Sequence, residues 1–389
     1  MKTDFDNSLS RIGTLSIKWE KNLNKFGKKD VIPLWIADMD FATPQVITNA
    51  LSQRLEHPVF GYSFRASEYV DSIINWLLSR HGWQVKASDL LFYPPGTVPA
   101  LDMLVRLLTE PGDEVIVQVP SYPPLMKVVA KNNRVLVENP LIAAEEGYQM
   151  DFEHLERCFT RKTKLLILCS PHNPTGRVWE KNELLKLAEL CKENNVTVIS
   201  DEVHADLIFS NTKHWHFNRL DRNQRPSSIS IISSCKTFNI AGLPQSTLIC
   251  DDESLKRKIQ FIIDTSQLNL DGIFSAVATT AGYQSGGEWL DGLLEYLKAN
   301  RDYLCHRVSE DFVDVSVVPA QGTYLAWLDF RKLELENKVI EQMLIQKAGV
   351  GLYNGLEFGK NGRGFFRLNF ACPRSILDEA LNKLVSVFG

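Results

Sequence analysis

The stretch SSCKTFNIAGL, residues 233–243, carries a single lysine, Lys236, just past a run that is typical of a β-strand. That run is residues 229–232, Ile-Ser-Ile-Ile, in which β-branched side chains favour extended backbone. Most lysines in such a place are solvated. A lysine held among small and apolar residues can instead lose its proton near neutral pH and act as an amine nucleophile. Imine chemistry with a carbonyl cofactor needs such an amine, so both interpretations of Lys236 stay open until the rest of the chain has been considered.

The composition is that of an ordinary soluble globular protein. Of the 389 residues, 44% are hydrophobic and 23% are charged, and the length predicts about two domains. A net charge of −4 gives no reason to expect nucleic acid or an anionic membrane as a partner. The seven cysteines are scattered without a Cys-x-x-Cys pair, and no apolar run is long enough for a signal core or a membrane span. We therefore expect a cytoplasmic protein without disulfides or a metal site.

The middle of the chain alternates between strand and helix patterns. Strands are predicted at 114–119, 134–138, 164–169, 196–200 and 229–232. Helices are predicted at 123–131, 151–159 and 180–194, and residues 95–99 lead into a further helix that ends near 109. This alternation predicts an α/β fold with a mainly parallel sheet between helices. We expect residues 50–285 to form this large domain.

The pattern changes after residue 285. A long helix is predicted at 287–310, strands at 313–317, 323–328 and 365–370, and helices at 336–347 and 375–387. Earlier in the chain, helices are predicted from Thr43, as cap, to about residue 57 and at 67–80. We expect residues 1–49 and 286–389 to form a smaller α+β domain.

Four polar segments fall just beyond predicted strands or just before a helix. They are residues 95–99, 170–176, 201–204 and 233–236. In open α/β sheets, ligands bind beyond the carboxyl ends of the strands. None of these segments is specific alone, but together they predict one site.

The candidate residues also have plain structural interpretations, and Asp201 at the end of its strand could simply be a turn residue. The run Gly96-Thr97-Val98 could hold a phosphate at a helix start, or merely begin the helix. Tyr122 could stack on a flat ring or belong to the core. Asn173 lies in PHNPTG, residues 171–176, which also has the composition of a turn.

A charged residue interrupts the last apolar strand. Arg367 lies in Phe-Arg-Leu-Asn-Phe, residues 366–370. An inward-facing arginine needs an anionic partner, which would be either a ligand or a glutamate at a sheet edge.

Four segments taken together resemble one protein family. They are PLWIADMDF (33–41), PHNPTGRVW (171–179), KTFNIAGL (236–243) and ACPRS (371–375). They are similar to the fold type I, class I/II pyridoxal-phosphate enzymes, and within these to the aminotransferase-like cystathionine β-lyases. The resemblance covers roughly residues 30–388. It implies a pyridoxal 5'-phosphate cofactor, an amino acid substrate, and a homodimer with shared active sites.

The resemblance also implies residue roles. Lys236 would carry the cofactor and act as general base, Asp201 would keep the cofactor ring nitrogen protonated, and Arg367 would bind the substrate α-carboxylate. Further cofactor contacts are implied for Gly96, Thr97, Val98, Tyr122, Asn173, His204 and Ser233. His204 stands where many relatives have tyrosine. Tyr62 would reach the phosphate of the neighbouring subunit, and Trp35, Tyr62 and Tyr122 would place the rest of the substrate.

Two positions depart from the family pattern. Pro244 stands where many members have a phosphate-binding arginine, so the phosphate would depend more on backbone N–H groups, Ser233 and Tyr62. Cys235 precedes the lysine where serine is common.

Three functions stay open at this point. The first is a C–S lyase that cleaves L-cystathionine or related cysteine S-conjugates to a thiol, pyruvate and ammonia. The second is an amino acid aminotransferase, which would use the same residues. The third is a non-catalytic regulatory protein that retains the cofactor, against which the intact set Lys236, Asp201 and Arg367 argues.

Overall fold

The structure is a computed structural model that describes residues 3–144, 147–209, 212–270 and 272–389. Its strands are β1 Ile32–Pro33, β2 Leu90–Tyr93, β3 Glu114–Val119, β4 Val135–Pro140, β5 Ile142–Ala144, β6 Gly147–Gln149, β7 Thr163–Cys169, β8 Thr197–Asp201, β9 Ser228–Ile232, β10 Ser246–Ile249, β11 Ser316–Val317, β12 Leu325–Asp329, β13 Val350–Gly351, β14 Tyr353–Asn354 and β15 Phe365–Asn369.

Its helices are α1 Ile17–Glu20, α2 Asn22–Phe26, α3 Gln45–Leu55, α4 Ser67–His81, α5 Thr97–Leu108, α6 Pro123–Lys131, α7 Phe152–Cys158, α8 Lys181–Glu193, α9 Ser234–Thr237, α10 Glu253–Thr265, α11 Ile273–Ser285, α12 Gly287–Asp311, α13 Asn337–Gln342 and α14 Arg374–Phe388. Local sequence signals set several of these ends. Asp151 and Asp252 cap α7 and α10 with their carboxylates, and a capping box of Glu180 and Glu183 starts α8.

A seven-stranded sheet forms the centre of the molecule, in the order β2-β10-β9-β8-β7-β3-β4. The pairs from β9 to β4 are parallel, whereas β10 is antiparallel to both of its neighbours. All strands except β10 therefore point the same way, which confirms the predicted mainly parallel sheet. The sequence analysis missed β2 and β10.

Helices cover both faces of this sheet, as its pattern predicts. Strands β8 and β9 are buried along almost their whole length, since both of their faces are covered. One core lies between the sheet and α5, α6 and α10, and another lies against α7 and α8. The sheet is thus a rigid base for the loops at its edge.

A second, antiparallel sheet has the order β11-β12-β15-β14. Strand β1, near the N-terminus, pairs with β13 through residues 32–33 and 350–351. This pairing supports the predicted small domain of residues 1–49 and 286–389, whose boundaries stay a prediction.

Three local predictions need correction. Thr43 does not cap α3: its hydroxyl donates to the Phe238 carbonyl at 2.7 Å, and the helix begins at Gln45. The strand expected at 313–317 is reduced to Ser316–Val317, and Val313, just after the end of α12 at Asp311, is exposed. The helix expected at 336–347 is α-helical only to Gln342, and residues Met343–Ala348 continue as a π-helix that ends at the left-handed Gly349.

No helix among the described residues combines the length and the apolarity needed to cross a bilayer. All seven cysteines are free thiols.

Candidate active site

The predicted polar segments meet at one edge of the large sheet. Strands β2, β7, β8 and β9 end there at Tyr93, Cys169, Asp201 and Ile232. Their following loops carry residues 95–99, 170–176, 201–204 and 233–236. The parallel direction of these strands brings the four loops together.

Lys236 lies in the short helix α9, for which Ser233 is the N-cap. Its Nζ donates to the Ala37 carbonyl at 2.7 Å. Burial lowers the pKa of Lys236, and the nearby carboxylate of Asp38 opposes that shift. The amine is thus held in place by a neutral acceptor and is easier to deprotonate than an exposed lysine.

Asp201 is the last residue of β8 and is 5% exposed. Its carboxylate accepts a long hydrogen bond, 3.5 Å, from the Val203 amide. Burial raises the pKa of Asp201 to about 7, and the charge of Glu202 adds to this effect. The group therefore favours a cationic partner.

Arg367 lies inside the small sheet, on β15 between β12 and β14, and is 2% exposed. Its Nη1 donates to Asn173 Oδ1 at 2.9 Å and its Nη2 to the Trp35 carbonyl at 2.7 Å. Its Nε has no partner among the described residues, and burial lowers its pKa to about 10. No ion pair to a carboxylate is found for it in the described ranges, so the alternative of a glutamate-paired edge arginine is wrong.

Two further predicted residues lie beside these groups. His204 is buried, its Nδ1 has no partner among the described residues, and its ring lies edge-to-face with Tyr324 at 5.7 Å between centroids. Burial lowers the pKa of His204 to about 3, and the charges of Lys236 and Arg367 act in the same direction. Tyr122 precedes α6, and burial raises its pKa while the charge of Arg367 opposes the shift.

The predicted phosphate loop has the backbone of a tight turn. Gly96, the N-cap of α5, has a φ of +98°, which a residue with a side chain rarely adopts. A Cβ built on Gly96 would lie 3.5 Å from the Pro244 Cβ. The residue that replaces the family arginine therefore packs directly against this loop. Thr97 and Val98 form the first turn of α5.

Ser233 is held by neighbours within the same loop. Its hydroxyl donates to the Gln245 carbonyl at 2.7 Å and accepts from the Cys235 amide at 3.3 Å. To donate to a phosphate, the hydroxyl would have to leave Gln245.

The structure separates the remaining two predicted residues. Trp35 lies next to Arg367 through its carbonyl oxygen, and its ring is 6.1 Å from that of Tyr353. Tyr62 is 97% exposed, in the non-helical segment between α3 and α4. Within one chain, Tyr62 is therefore a surface residue.

Residues that the sequence analysis missed complete the arrangement. The Tyr324 hydroxyl donates to the Ala37 carbonyl at 2.9 Å. Asn369 Nδ2 donates to the carbonyls of Ile36 and Asp38, both at 2.6 Å. Asn369 lies two positions after Arg367, which places both side chains on one face of β15, and this spacing could have revealed it.

Asp206 anchors helix α9 through a hydrogen bond with Thr237. It accepts from the Thr237 hydroxyl at 2.6 Å, from Trp76 Nε1 at 2.9 Å, and contacts His81 Nε2 at 2.7 Å. Burial raises the pKa of Asp206, but the hydrogen bond and charge of His81 and the other donors outweigh it and hold the pKa low, at about 2. The residue after Lys236 is thus bonded to a buried carboxylate.

Glu202, His214 and His216 form a buried group whose potential ligand atoms lie within 4.8 Å of one another. Glu202 already accepts hydrogen bonds from His216 Nδ1, the Phe217 amide and the Ser230 hydroxyl. We interpret this group as support for the loop after Asp201.

Comparisons with known proteins agree with this geometry. Residues 29–384 match the family described as aminotransferase class I and II. The cystathionine beta-lyase PatB of Bacillus subtilis (strain 168) is 40% identical, over 98% of each chain. The structure of cystalysin from Treponema denticola, which contains a pyridoxal 5'-phosphate cofactor, has a TM-score of 0.95 and 31% identity, covering 100% of this chain and 99% of that one.

A second solved structure is that of the pyridoxal-phosphate-bound C–S lyase from Staphylococcus hominis. It has a TM-score of 0.92 and 32% identity, covering 100% of this chain and 98% of that one. Sequence and fold thus point to one group, and the chain belongs to the class I and II aminotransferase family.

Proposed function

We propose that this protein is a pyridoxal 5'-phosphate-dependent C–S lyase of the cystathionine β-lyase type. It cleaves L-cystathionine or related cysteine S-conjugates by β-elimination to a thiol, pyruvate and ammonia. The observation that carries the choice of reaction is the 40% identity to a cystathionine beta-lyase over 98% of both chains. The fold is that of the fold type I enzymes.

The residues at the sheet edge fit the cofactor. Asp201 is buried, its pKa is raised to about 7, and a protonated ring nitrogen is the cationic partner that would lower it. The buried Nδ1 of His204 lacks a partner in the described part of the chain and would face a polar atom of the ring. Asn173, with its Oδ1 bonded to Arg367, keeps its amide N–H groups for the phenolic oxygen. Gly96, Thr97, Val98 and Ser233 would hold the phosphate, and Tyr122 would cover the ring.

The bound cofactor supplies an electron sink for the carbanion that forms when the substrate loses its α-proton. Lys236 removes that proton, since burial lowers its pKa and leaves a larger share of neutral amine. Arg367 binds the α-carboxylate with its guanidinium fork, which has no competing carboxylate among the described residues. Elimination follows when the β-carbon–sulfur bond breaks and the thiolate leaves. The released enamine is then hydrolysed by water to pyruvate and ammonia.

The proposal includes an assembly. Tyr62 and its neighbour Phe64 are 97% and 88% exposed, and apolar side chains exposed side by side often mark an interface. A homodimer in which Tyr62 reaches the phosphate of the partner subunit explains that exposure. Seven free thiols support a reducing, cytoplasmic location.

A competition assay tests the reaction. The holoenzyme is incubated with L-cystathionine and a 2-oxo acid together, and pyruvate, thiol and new amino acid are followed. We expect pyruvate, ammonia and homocysteine to form well ahead of any new amino acid. If the amino acid dominates and no thiol is released, the protein is an aminotransferase, which the family also contains.

A further inference from the structure

Next to the candidate active site lies a second pair of opposite charges. Lys25, on α2, is bonded to Glu357 through Nζ and Oε1 at 2.8 Å, and the two side chains are 26% and 34% exposed. Glu357 lies in the 3-10 turn Gly355–Phe358, which follows β14. The pair is therefore partly open to solvent and can exchange partners with a ligand.

Aromatic rings connect this pair to Arg367. Lys25 Nζ lies 5.0 Å from the centroid of the Tyr353 ring and 5.4 Å from that of the Trp35 ring. Arg367 Cζ lies 5.0 Å from the same Tyr353 centroid. The two cations are thus at most twice that distance apart, with an aromatic wall beside both of them.

Glu357 interacts with Tyr353, one of these aromatic rings. Burial raises the pKa of Tyr353 to about 12, and the charge of Glu357 and its hydrogen bond with the tyrosine act in the same direction. The Phe358 carbonyl accepts from the Ser121 amide at 2.8 Å, next to Tyr122. The turn that carries Glu357 is therefore bonded both to Lys25 and to the residue before Tyr122.

This arrangement matches a substrate with two amino acid ends. In cystathionine, a short thioether chain joins two heads, each with a carboxylate and an ammonium group. One head belongs on Arg367. Because Arg367 Cζ and Lys25 Nζ are separated by at most twice 5.0 Å, one extended cystathionine molecule is long enough to contact both. The tyrosine and tryptophan rings offer an apolar surface for its methylene groups and sulfur.

We propose that Lys25 and Glu357 form a subsite for the distal amino acid head, with Lys25 binding its carboxylate and Glu357 its ammonium group. The ion pair between them opens when that head binds, and each charge then keeps an opposite charge as partner. The inference rests on the proposed lyase function. It adds that thioethers with a distal zwitterion are preferred over small cysteine S-conjugates.

The test compares substrates that differ only in the distal head. L-Cystathionine is compared with S-methyl-L-cysteine, with S-(3-carboxypropyl)-L-cysteine, which lacks the distal amine, and with S-(3-aminopropyl)-L-cysteine, which lacks the distal carboxylate. Holoenzyme variants Lys25→Met and Glu357→Gln are measured beside Lys21→Met, a change at an exposed lysine nearby. Turnover is followed by thiol release, and binding by the change in visible absorbance of the cofactor.

We expect Lys25→Met to weaken binding of cystathionine and of the carboxypropyl compound about tenfold, the size of one charge-assisted contact. Glu357→Gln should weaken the aminopropyl compound by a similar factor. Binding of S-methylcysteine should change less than about twofold in either variant. Lys21→Met should leave the binding of all four compounds unchanged.

Equal losses for all four compounds would mean that the ion pair only supports the fold, and unchanged cystathionine binding would mean that the distal head lies elsewhere. Either result overturns the subsite. Because binding is read separately from thiol release, an enzyme that binds the compounds but releases no thiol refutes the lyase function and still gives a result for the subsite.

Discussion

Lys236 and Tyr324 donate hydrogen bonds to one acceptor, the carbonyl oxygen of Ala37, at 2.7 and 2.9 Å. The lysine is thereby positioned by a neutral acceptor, and no carboxylate in the described part of the chain is bonded to it and holds it in the charged form. Burial can then lower its pKa. The position of Lys236 and its reactivity have the same structural origin.

Replacing Lys236 by alanine should remove catalysis and the visible absorbance of the lysine-bound cofactor together. The reason is that, among the described residues, Lys236 is the lysine whose Nζ bonds the Ala37 carbonyl. Absorbance spectra and thiol release measure the two effects. Lys383→Ala, at an exposed lysine of α14, is the matched control and should leave both unchanged. Full turnover in Lys236→Ala would contradict the mechanism.

Asp201→Asn should stabilise the apo protein at high pH but slow turnover by the holoenzyme. In the native apo protein the pKa of Asp201 is about 7, against 3.8 as its ordinary value. The native state therefore binds more protons between those values, and stability is lost as pH rises from about 4 to about 7. The cost reaches on the order of 4 kcal/mol.

Removing that carboxyl should stabilise the apo protein above pH 7 and change little at pH 4, as thermal or denaturant unfolding will show. Asp221→Asn, at an exposed aspartate, is the control. In the holoenzyme the same variant should lose at least about a thousandfold in turnover, because the ring nitrogen loses its charged partner. Equal stability of the two apo proteins at pH 8 would mean that Asp201 is not the buried proton-binding group.

Arg367→Lys should raise KM for amino acid substrates strongly, although the charge is kept. Lysine lacks the planar fork that bonds Asn173 and Trp35 while presenting a further N–H. We expect a loss in kcat/KM of about a hundredfold, or about 3 kcal/mol. Steady-state kinetics check this, with Arg363→Lys, an exposed arginine bonded to Glu336, as control. A lysine variant with native KM would place the substrate carboxylate elsewhere.

Thr237→Val should disturb helix α9, which carries Lys236, whereas Thr237→Ser should not. The valine variant loses the hydroxyl that donates to Asp206 at 2.6 Å, which costs about 1–2 kcal/mol of stability. It should also shift the pH at which the visible cofactor band changes, because α9 carries Lys236. Serine keeps the hydroxyl. Identical pH profiles for the two variants would show that the bond only stabilises the fold.

Gly176→Ala should be far more damaging than Gly112→Ala. Both glycines have positive φ, +70° and +90°. A Cβ on Gly176 would lie 2.4 Å from the Ala320 Cβ, whereas a Cβ on Gly112 meets nothing within 4 Å. We expect about 1 kcal/mol for Gly112→Ala, and several for Gly176→Ala, since overpacking adds to the backbone strain. Denaturant unfolding separates them, and similar losses would mean that the loop shifts away from Ala320 freely.

The segments that carry this site could be located from the sequence. Local signals mark the strands and helices, and the loops after parallel strands lie at one edge of a sheet. Strand 114–119 and helix 123–131 were predicted to the residue, since a β-branched run is followed by proline at a helix start. Strand β10 was missed because its short run follows Gly-Leu-Pro and its direction depends on its neighbours.

The roles of Tyr324 and Asp206 in the site depend on tertiary contacts. Tyr324 reaches Ala37 from 287 residues away, and Asp206 reaches Thr237 from 31 residues away. No local pattern encodes such pairs. Thr43 was misread for a related reason, because its hydroxyl finds a carbonyl 195 residues away instead of its own helix.

The contacts of Arg367 with Trp35, and of Asn369 with Ile36, join residues 332 and 333 positions apart. During synthesis, the large sheet and Lys236 emerge well before β15 exists. The carbonyls of Trp35 and Ile36 therefore meet these donors only after nearly the whole chain has been synthesised. The proposed substrate-binding end of the site is thus the last part to be assembled, and we expect a nascent chain to stay inactive until translation is almost complete.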